Sequence, residues 1–183
     1  MASNSDGALD PGQALRLLDL ACNNSAGHDI VMLVESKGAP VEGESTRVFE
    51  DGKPRMDMLG LMLSGASSQN EGAAQYRTSL MNLVVVRQSD AASATLANLF
   101  KNQATDLKVQ ISCFKSGGDA SNVQPTLEIA LDAARITMLS LLTGDKLTGV
   151  NEALTFAYQG LEIRSAPQRA DGQRGAVRVC KLL

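Results

Sequence analysis

Alternating apolar and polar positions mark most of the chain after residue 28. The clearest example runs from residue 107 to 113, where Leu107, Val109, Ile111 and Cys113 are separated by Lys108, Gln110 and Ser112. This period of two is typical of a half-buried β-strand. Other stretches of strand length follow at regular spacing, separated by segments rich in glycine, proline and charge. The pattern predicts a mainly β domain, a compact barrel or sandwich of two packed antiparallel sheets.

Three breaks interrupt the predicted strands. Gly60 divides the apolar stretch 56–65 and predicts a bulge or a bend. Residues 126–142 alternate as two strands, or as one strand with a kink near Ala133 and Ala134. At Gly160 the apolar positions change from even to odd numbers, which predicts a one-residue bulge. A last strand follows the Asp-Gly turn at 171–172 and runs through residues 177–182.

Two segments have helical character. Residues 10–24 begin with Asp10 as a cap and carry an apolar face of alanine and leucine, which predicts an extra N-terminal helix. The second helix is internal: Ser89 or Asp90 caps it, and its apolar stripe is Leu96, Leu99 and Phe100. We therefore divide the chain into an N-terminal extension, residues 1–27, and one β domain, residues 28–183.

The connections differ in length and composition. Residues 66–75 are predicted to be a polar loop and residues 76–88 one strand. Residues 37–55, called the arm below, are rich in glycine, proline and charge and are too long for an ordinary connection. They form either an extended arm that makes contacts or a floppy surface loop.

Composition narrows the possible functions. The 183 residues include 3% aromatics and no tryptophan, and the net charge is -3. The predicted pI of about 5.2 does not indicate a basic surface that could bind nucleic acid or an anionic membrane. Three cysteines and one histidine lack ligand spacing, so we expect no disulfide framework, no metal and no cofactor.

The sequence predicts neither a secretory signal nor a membrane-spanning segment. The first 13 residues lack the basic and apolar regions of a secretory signal, and no apolar run is long enough to span a membrane. We expect a cytoplasmic protein whose export, if any, uses another route.

His28 is the sole histidine, there is no GxSxG motif, and the glycine-rich stretch at 116–121 opens no helix. These features favour a protein that works through its surface, not an enzyme.

The order of these elements resembles the haemolysin-coregulated protein (Hcp) family, the tail-tube subunit of the bacterial type VI secretion system. The resemblance covers residues 28–183 and is most specific at the C-terminus. There the pairs Phe156-Ala157 and Pro167-Gln168 and the triplet 170–172 (Ala-Asp-Gly) follow the family's order. The chain departs from the family at residues 59–61, where tryptophan is frequent, and in having a helix before residue 28.

The resemblance implies a non-enzymatic subunit that forms six-membered rings. The rings stack into a hollow tube, which a contractile sheath propels with a spike at its tip; baseplate proteins and effectors in the lumen are further partners. Export through this apparatus needs no signal peptide. The alternatives are a tube protein of another phage-tail-like contractile injection system and a monomeric β-barrel adaptor or binding module.

A tube needs a contact along its axis, and the arm is our candidate for it. The residues that we expect at this ring-stacking contact are Val41, Glu42, Glu44, Arg47, Val48, Phe49 and Lys53. Val41, Val48 and Phe49 are its apolar members, which we expect to be buried between rings. We expect deletion of residues 41–52 to leave the barrel folded and to abolish stacking.

Overall fold

The computed structural model describes residues 19, 28–47, 49–68, 77–115, 124–144, 147, 149–166 and 175–183. The described residues form twelve strands and one long helix. The strands are β1 (His28–Ser36), β2 (Ala39–Pro40), β3 (Met56–Met58), β4 (Gly60–Met62), β5 (Gly65–Ser68), β6 (Arg77–Leu80), β7 (Leu83–Gln88), β8 (Leu107–Lys115), β9 (Leu127–Leu142), β10 (Asn151–Ala157), β11 (Gly160–Ser165) and β12 (Arg178–Lys181). The helix, α1, is Ala92–Lys101.

The predicted N-terminal helix lies on residues of which the structure describes only Asp19. That helix is therefore outside the described residues. The division of the chain at residue 27 likewise stays a prediction.

Two antiparallel sheets share the strand β9. The first half of β9 pairs with β8 on one side and β11 on the other, and β8 continues to β1. The second half pairs with β10, followed by β7 and β4. Ala133, at the junction, has a φ of 45°, which a non-glycine residue rarely adopts. The predicted kink is confirmed, and it is the place where one strand passes from the first sheet to the second.

The bend predicted at Gly60 is also a crossing between sheets. Before it, β3 pairs with β1 in the first sheet; after it, β4 pairs with β7 in the second. Leu59 lies between the two strands, and its N–H donates to the Val86 carbonyl at 2.8 Å. The apolar stretch stays continuous because Met58 and Leu61 pack in the main core, whereas Leu59 and Met62 pack against a second apolar cluster around Val84 and Val86.

Two predictions about strand boundaries were wrong. Residues 76–88 form two strands, β6 and β7, and β6 pairs with β5 in a hairpin that begins inside the predicted polar loop. Ala66, Ser67, Thr78 and Ser79 are exposed, so this hairpin has no apolar alternation to reveal it. At the other end of the chain, the change of phase at Gly160 reflects a break between β10 and β11, and the bulge lies earlier, between Thr155 and Phe156.

The core lies between the sheets and is filled mainly by aliphatic side chains. Its fully buried members include Met32, Val34, Met56, Leu83, Val85, Leu107, Ile111, Leu154 and Phe156. Helix α1 contributes Ala92 and Leu96 to it. Asp90 caps this helix as predicted, because its Oδ1 accepts a hydrogen bond from the Ala92 N–H at 2.8 Å. Phe100, predicted in the apolar stripe, is 38% exposed instead.

Candidate functional site

The arm begins with a tight turn at the end of β1. Lys37 and Gly38 both have positive φ, 53° and 81°, and the turn pairs Ser36 with Ala39 in β2. The Val41 N–H then donates to the Val34 carbonyl at 2.8 Å. From there the arm runs without regular structure to β3, and the Ser45 N–H donates to the Arg55 carbonyl at 3.0 Å. The arm is thus a closed loop that returns to β1.

Two aromatic rings and two guanidinium groups stack where the arm meets the first sheet. The Phe49 ring contacts the Phe114 ring of β8 edge to face, with ring centres 5.9 Å apart. Arg47 lies over the Phe114 ring at 4.0 Å and Arg55 over the Phe49 ring at 4.2 Å. A cation above an aromatic face is attracted by the ring's quadrupole, and the attraction strengthens when water is excluded. The stack therefore anchors the middle of the arm on the outer face of the sheet.

Ion pairs hold the arm on both sides of this stack. Arg47 pairs with Asp29 at 2.7 Å and Lys53 with Glu35 at 2.5 Å, so both contacts go to β1. Within the arm, the buried Arg55 pairs with Asp51 at 2.8 Å. The hydrogen bond from Arg55 holds the pKa of Asp51 below its ordinary value of 3.8. Arg47, Lys53 and Arg55 are thus engaged within their own subunit.

Glu44 ties the arm to the start of helix α1. Its carboxylate accepts a hydrogen bond from the Ala91 N–H at 3.2 Å, and its own N–H donates to Asp90 at 3.3 Å. Carboxylates are favoured at a helix N-terminus, where backbone N–H groups are unpaired and the helix dipole is positive. The position of the arm therefore depends on that of α1.

A buried ionic cluster lies beneath this contact. Arg87 of β7 is fully buried and pairs with Asp90 and, at 2.9 Å, with Glu152 of β10. Burial raises the pKa of Glu152, and the positive charge of Arg87 opposes that increase. Arg87 Nη1 donates no hydrogen bond to the described residues. The cluster links the second sheet, α1 and, through Asp90, the arm.

The structure separates the predicted arm residues into two groups. Glu42 and Glu44 are exposed, whereas Arg47 and Phe49 are half-buried against the subunit's own sheet. Lys53 is partly exposed beside Glu35. Val48 lies outside the described residues.

Val41 requires a correction. We expected it to be buried between rings, but it is 4% exposed in the single chain and belongs to the main core. The β1–β2 hairpin directs the Val41 side chain into that core. What the arm presents to solvent is mainly acidic: Glu42, Glu44, Glu50 and Asp51.

Sequence reasoning missed the residues that receive the arm, Asp29, Glu35, Asp90 and Phe114. One signal was present. Phe114 falls on the otherwise polar face of β8, in phase with Lys108, Gln110 and Ser112. An aromatic residue on a polar strand face needs a cover, and the arm supplies it.

A trough of about 450 Å³ occupies another part of the first sheet's outer face. Its charged lining residues are Glu35, Lys108, Glu128, Asp132, Glu162, Arg164 and Lys181. Glu162 pairs with Arg164 and, at 3.7 Å, with Lys181. Because positive and negative groups nearly balance, the trough has no strong preference for ligands of one charge. Among the described residues no cluster of histidine, cysteine, aspartate or glutamate could hold a metal ion.

Comparison with known proteins identifies the family. A family model described as "Type VI secretion system effector, Hcp" matches residues 35–164, which include the arm, α1 and most of both sheets. The chain belongs to the Hcp family. The resemblance seen in the sequence is therefore confirmed.

Solved Hcp structures share the fold at low sequence identity. A variant of Hcp1 from the E. coli EAEC 042 pathovar has a TM-score of 0.64 at 9% identity, covering 85% of this chain and 99% of that one. Hcp1 from Salmonella typhimurium has a TM-score of 0.60 at 15% identity, covering 84% and 92%. The secreted protein Hcp3 from Pseudomonas aeruginosa has a TM-score of 0.56 at 13% identity, covering 84% and 97%.

No curated protein matches the chain. The described part of the chain contains no helix with the length and hydrophobicity needed to cross a membrane. The predicted mainly β fold of two antiparallel sheets with an internal helix is confirmed, and it is the Hcp fold.

Proposed function

We propose that this protein is the structural subunit of a type VI secretion inner tube. Six copies close into a ring, rings stack into a hollow tube, and a contractile sheath propels the tube out of the cell. The observation that carries the proposal is the Hcp family match over residues 35–164, which covers most of the two-sheet barrel. The family assignment, not a pocket or a catalytic group, points to assembly as the activity.

Physical features of the chain suit this role. A ring requires a heterologous contact between two different surfaces of each subunit, and stacking requires a further contact along the axis. The arm is presented on the outside of the barrel yet fixed by the Phe49–Phe114 contact and by ion pairs to β1. A surface held in place before assembly loses little conformational entropy when it binds, so many modest contacts suffice.

We assign the stacking contact to the exposed residues of the arm, chiefly Glu42 and Glu44, together with the partly exposed Lys53. Arg47 and Phe49 hold the arm in position from below, and Val41 fixes its base in the core. Val48 stays in the proposal as the arm's remaining apolar residue. The sheath, spike and baseplate proteins and effectors carried in the lumen are the further partners of such a tube, and export through the apparatus is its route out of the cell.

Mass in solution and negative-stain imaging test the proposal. We expect a particle six times the mass of the 19.3 kDa chain, with a central hole, and stacks of such particles at high concentration. A protein that stays monomeric at every accessible concentration would contradict it and favour a β-barrel adaptor. Co-purification with sheath proteins of a type VI system distinguishes this tube from that of another contractile injection system.

A further inference from the structure

A continuous chain of polar contacts runs from strand β10 to the arm. Glu152 of β10 lies 2.9 Å from the Nε atom of Arg87 in β7, and Arg87 Nη2 donates to Asp90 Oδ1. Asp90 caps α1 through the Ala92 N–H and accepts a second hydrogen bond, from the Glu44 N–H of the arm, at 3.3 Å. Arg87 and Glu152 are fully buried, so water does not screen the inner half of this chain of contacts.

The buried part of this chain of contacts carries an unbalanced charge. Arg87 supplies one positive charge, whereas Asp90 and Glu152 supply one negative charge each when both are ionised. The side chains of Asp90 and Glu152 are only 13% and 1% exposed, and an excess charge is unfavourable where water is excluded. A single proton on Glu152 makes the group of three side chains neutral.

Glu152 is the carboxyl group that is placed to take this proton. Asp90 accepts two backbone hydrogen bonds at the start of α1, where a carboxylate is favoured. Glu152 faces Arg87 from β7 and Ser93 from α1, while β9 places Leu141, which does not titrate, opposite it. Burial, the largest influence, raises the pKa of Glu152; the charge of Asp90 also raises it, whereas Arg87 and Ser93 oppose the increase.

We propose that these contacts form a proton-sensitive device that sets how firmly the arm is held on α1. When Glu152 is ionised, it repels Asp90 and shares Arg87 with it. When Glu152 is protonated, the positive charge of Arg87 is available to Asp90 alone. Asp90 then holds the start of α1 and the backbone of Glu44 more firmly. The arm is therefore tightened as the pH falls through the range in which Glu152 takes up its proton.

The direction of this effect is opposite to that of the Arg55–Asp51 pair. The folded-state pKa of Glu152 lies above its ordinary value of 4.5, so the stabilisation is present at acidic pH and is lost as the pH rises through the raised value. The pKa of Asp51 lies below its ordinary value of 3.8, so that pair stays ionised while Glu152 titrates. The two effects therefore occur in different ranges of pH.

Hydrogen exchange, resolved by peptide mass spectrometry on dilute protein, tests the proposal. After correction for the intrinsic dependence of exchange on pH, we expect the protection of residues 42–47 in the wild type to rise by roughly threefold or more between pH 8 and pH 5. Peptides of β8 report opening of the whole barrel and serve as the internal reference. Protection of the arm that does not change, or that changes by the same factor as that of β8, would overturn the proposal.

The substitution Glu152→Gln separates protonation from packing. Glutamine keeps the size of the side chain and cannot ionise, so the arm of this variant should show the protection of the acidic wild type at both pH values. Glu162→Gln is the matched control, because Glu162 pairs with Arg164 in the first sheet and not with the cluster. It should keep the pH response of the wild type. An arm that still responds to pH in Glu152→Gln would contradict the role of Glu152.

Asp90→Ser interrupts the contacts at their middle and decides the question if Glu152→Gln does not fold. Serine still caps a helix but carries no charge for Arg87 to hold, so the arm should lose its pH response. A response that persists in this variant would overturn the proposal, because the effect would then not pass through Asp90. These measurements need no rings, so a chain that fails to assemble contradicts the proposed function and leaves this test intact.

Discussion

The guanidinium group of Arg47 lies 4.0 Å from the centre of the Phe114 ring and donates a hydrogen bond to Asp29 at 2.7 Å. One arm residue thus contacts both β1 and β8. The contact converts an irregular segment into a fixed surface, because Phe49 and Arg55 continue the stack from Phe114 outwards.

Removing the Phe49 ring should loosen the arm without unfolding the barrel. Phe49→Ala deletes the contact with Phe114 and leaves Arg55 without its aromatic partner, so we expect a loss of roughly 2 kcal/mol in the free energy of unfolding. Urea denaturation measures it. Phe49→Leu, which keeps most of the apolar volume, should lose less than half as much. Equal losses for the two variants would show that the aromatic geometry contributes nothing.

A substitution at Gly43 would displace the arm without changing the charged side chains on its surface. A Cβ atom at Gly43 would lie 2.3 Å from the Arg55 carbonyl oxygen and 2.5 Å from Met56 Cγ. We expect Gly43→Ala to cost about 1–3 kcal/mol of stability, as overpacking usually does. Gly144→Ala is the control, because nothing lies within 4 Å of that Cβ and it should change stability by less than about 0.5 kcal/mol. Thermal melts that do not separate the two variants would contradict the close contact.

The Arg55–Asp51 pair predicts a pH dependence at acidic pH. Because the folded-state pKa of Asp51 lies below its ordinary value of 3.8, the pair stabilises the folded protein above that pH and loses its effect as pH falls through the lowered pKa. Asp51 is partly exposed, so we expect Asp51→Asn to cost only roughly 0.5 kcal/mol at pH 7. The difference between wild type and variant should vanish at the lowest pH. Urea titrations at a series of pH values provide the measurement, and a difference that grows on acidification has the wrong sign.

Breaking the buried Arg87–Glu152 pair should be the most damaging of these changes. Arg87→Met leaves the Glu152 carboxylate buried beside Asp90, and we expect a loss of about 3–5 kcal/mol. Burial raises the pKa of Glu152, and the variant lacks the positive charge of Arg87 that opposes this increase. Ionising Glu152 therefore costs more in the folded variant, which should be less stable at pH 8 than at pH 5.

The double variant Arg87→Met with Glu152→Leu removes both charges and should recover most of the lost stability. It also serves as the control for the volume of the side chains. A double variant no more stable than the single one would show that Arg87 acts mainly through Asp90.

Charge reversal on the outside of the arm tests its role in stacking. Glu42 and Glu50 are exposed, so Glu42→Lys with Glu50→Lys should leave the fold and the ring intact and reduce stacking at least tenfold in sedimentation assays. Asp106→Lys with Asp57→Lys, exposed sites outside the arm, is the matched control and should stack normally. Normal tubes from the arm variant would remove the arm from the stacking contact. Deletion of residues 41–52 also removes Val41 from the core and therefore confounds folding with assembly.

The sequence by itself determined the class of fold and most of its strands. The alternation of Leu107, Val109 and Ile111 with polar residues predicts β8 correctly, because a half-buried strand imposes a period of two that no neighbouring element alters. The breaks at Gly60 and near Ala133 are also visible in the sequence, because a backbone bend either needs a particular residue or interrupts the alternation of apolar and polar positions. The family followed from the order of these elements.

Only the tertiary structure decided where the arm lies and which of its residues face solvent. The sequence does not show which arm residues are buried. The burial of Arg47 and Phe49 depends on Asp29 and Phe114, and that of Val41 depends on the main core. The same is true of β12, which the sequence predicts as a strand but whose exposure on both faces only the structure shows. Periodicity reports that a strand has two faces, but what covers each face is set by contacts between segments far apart in sequence.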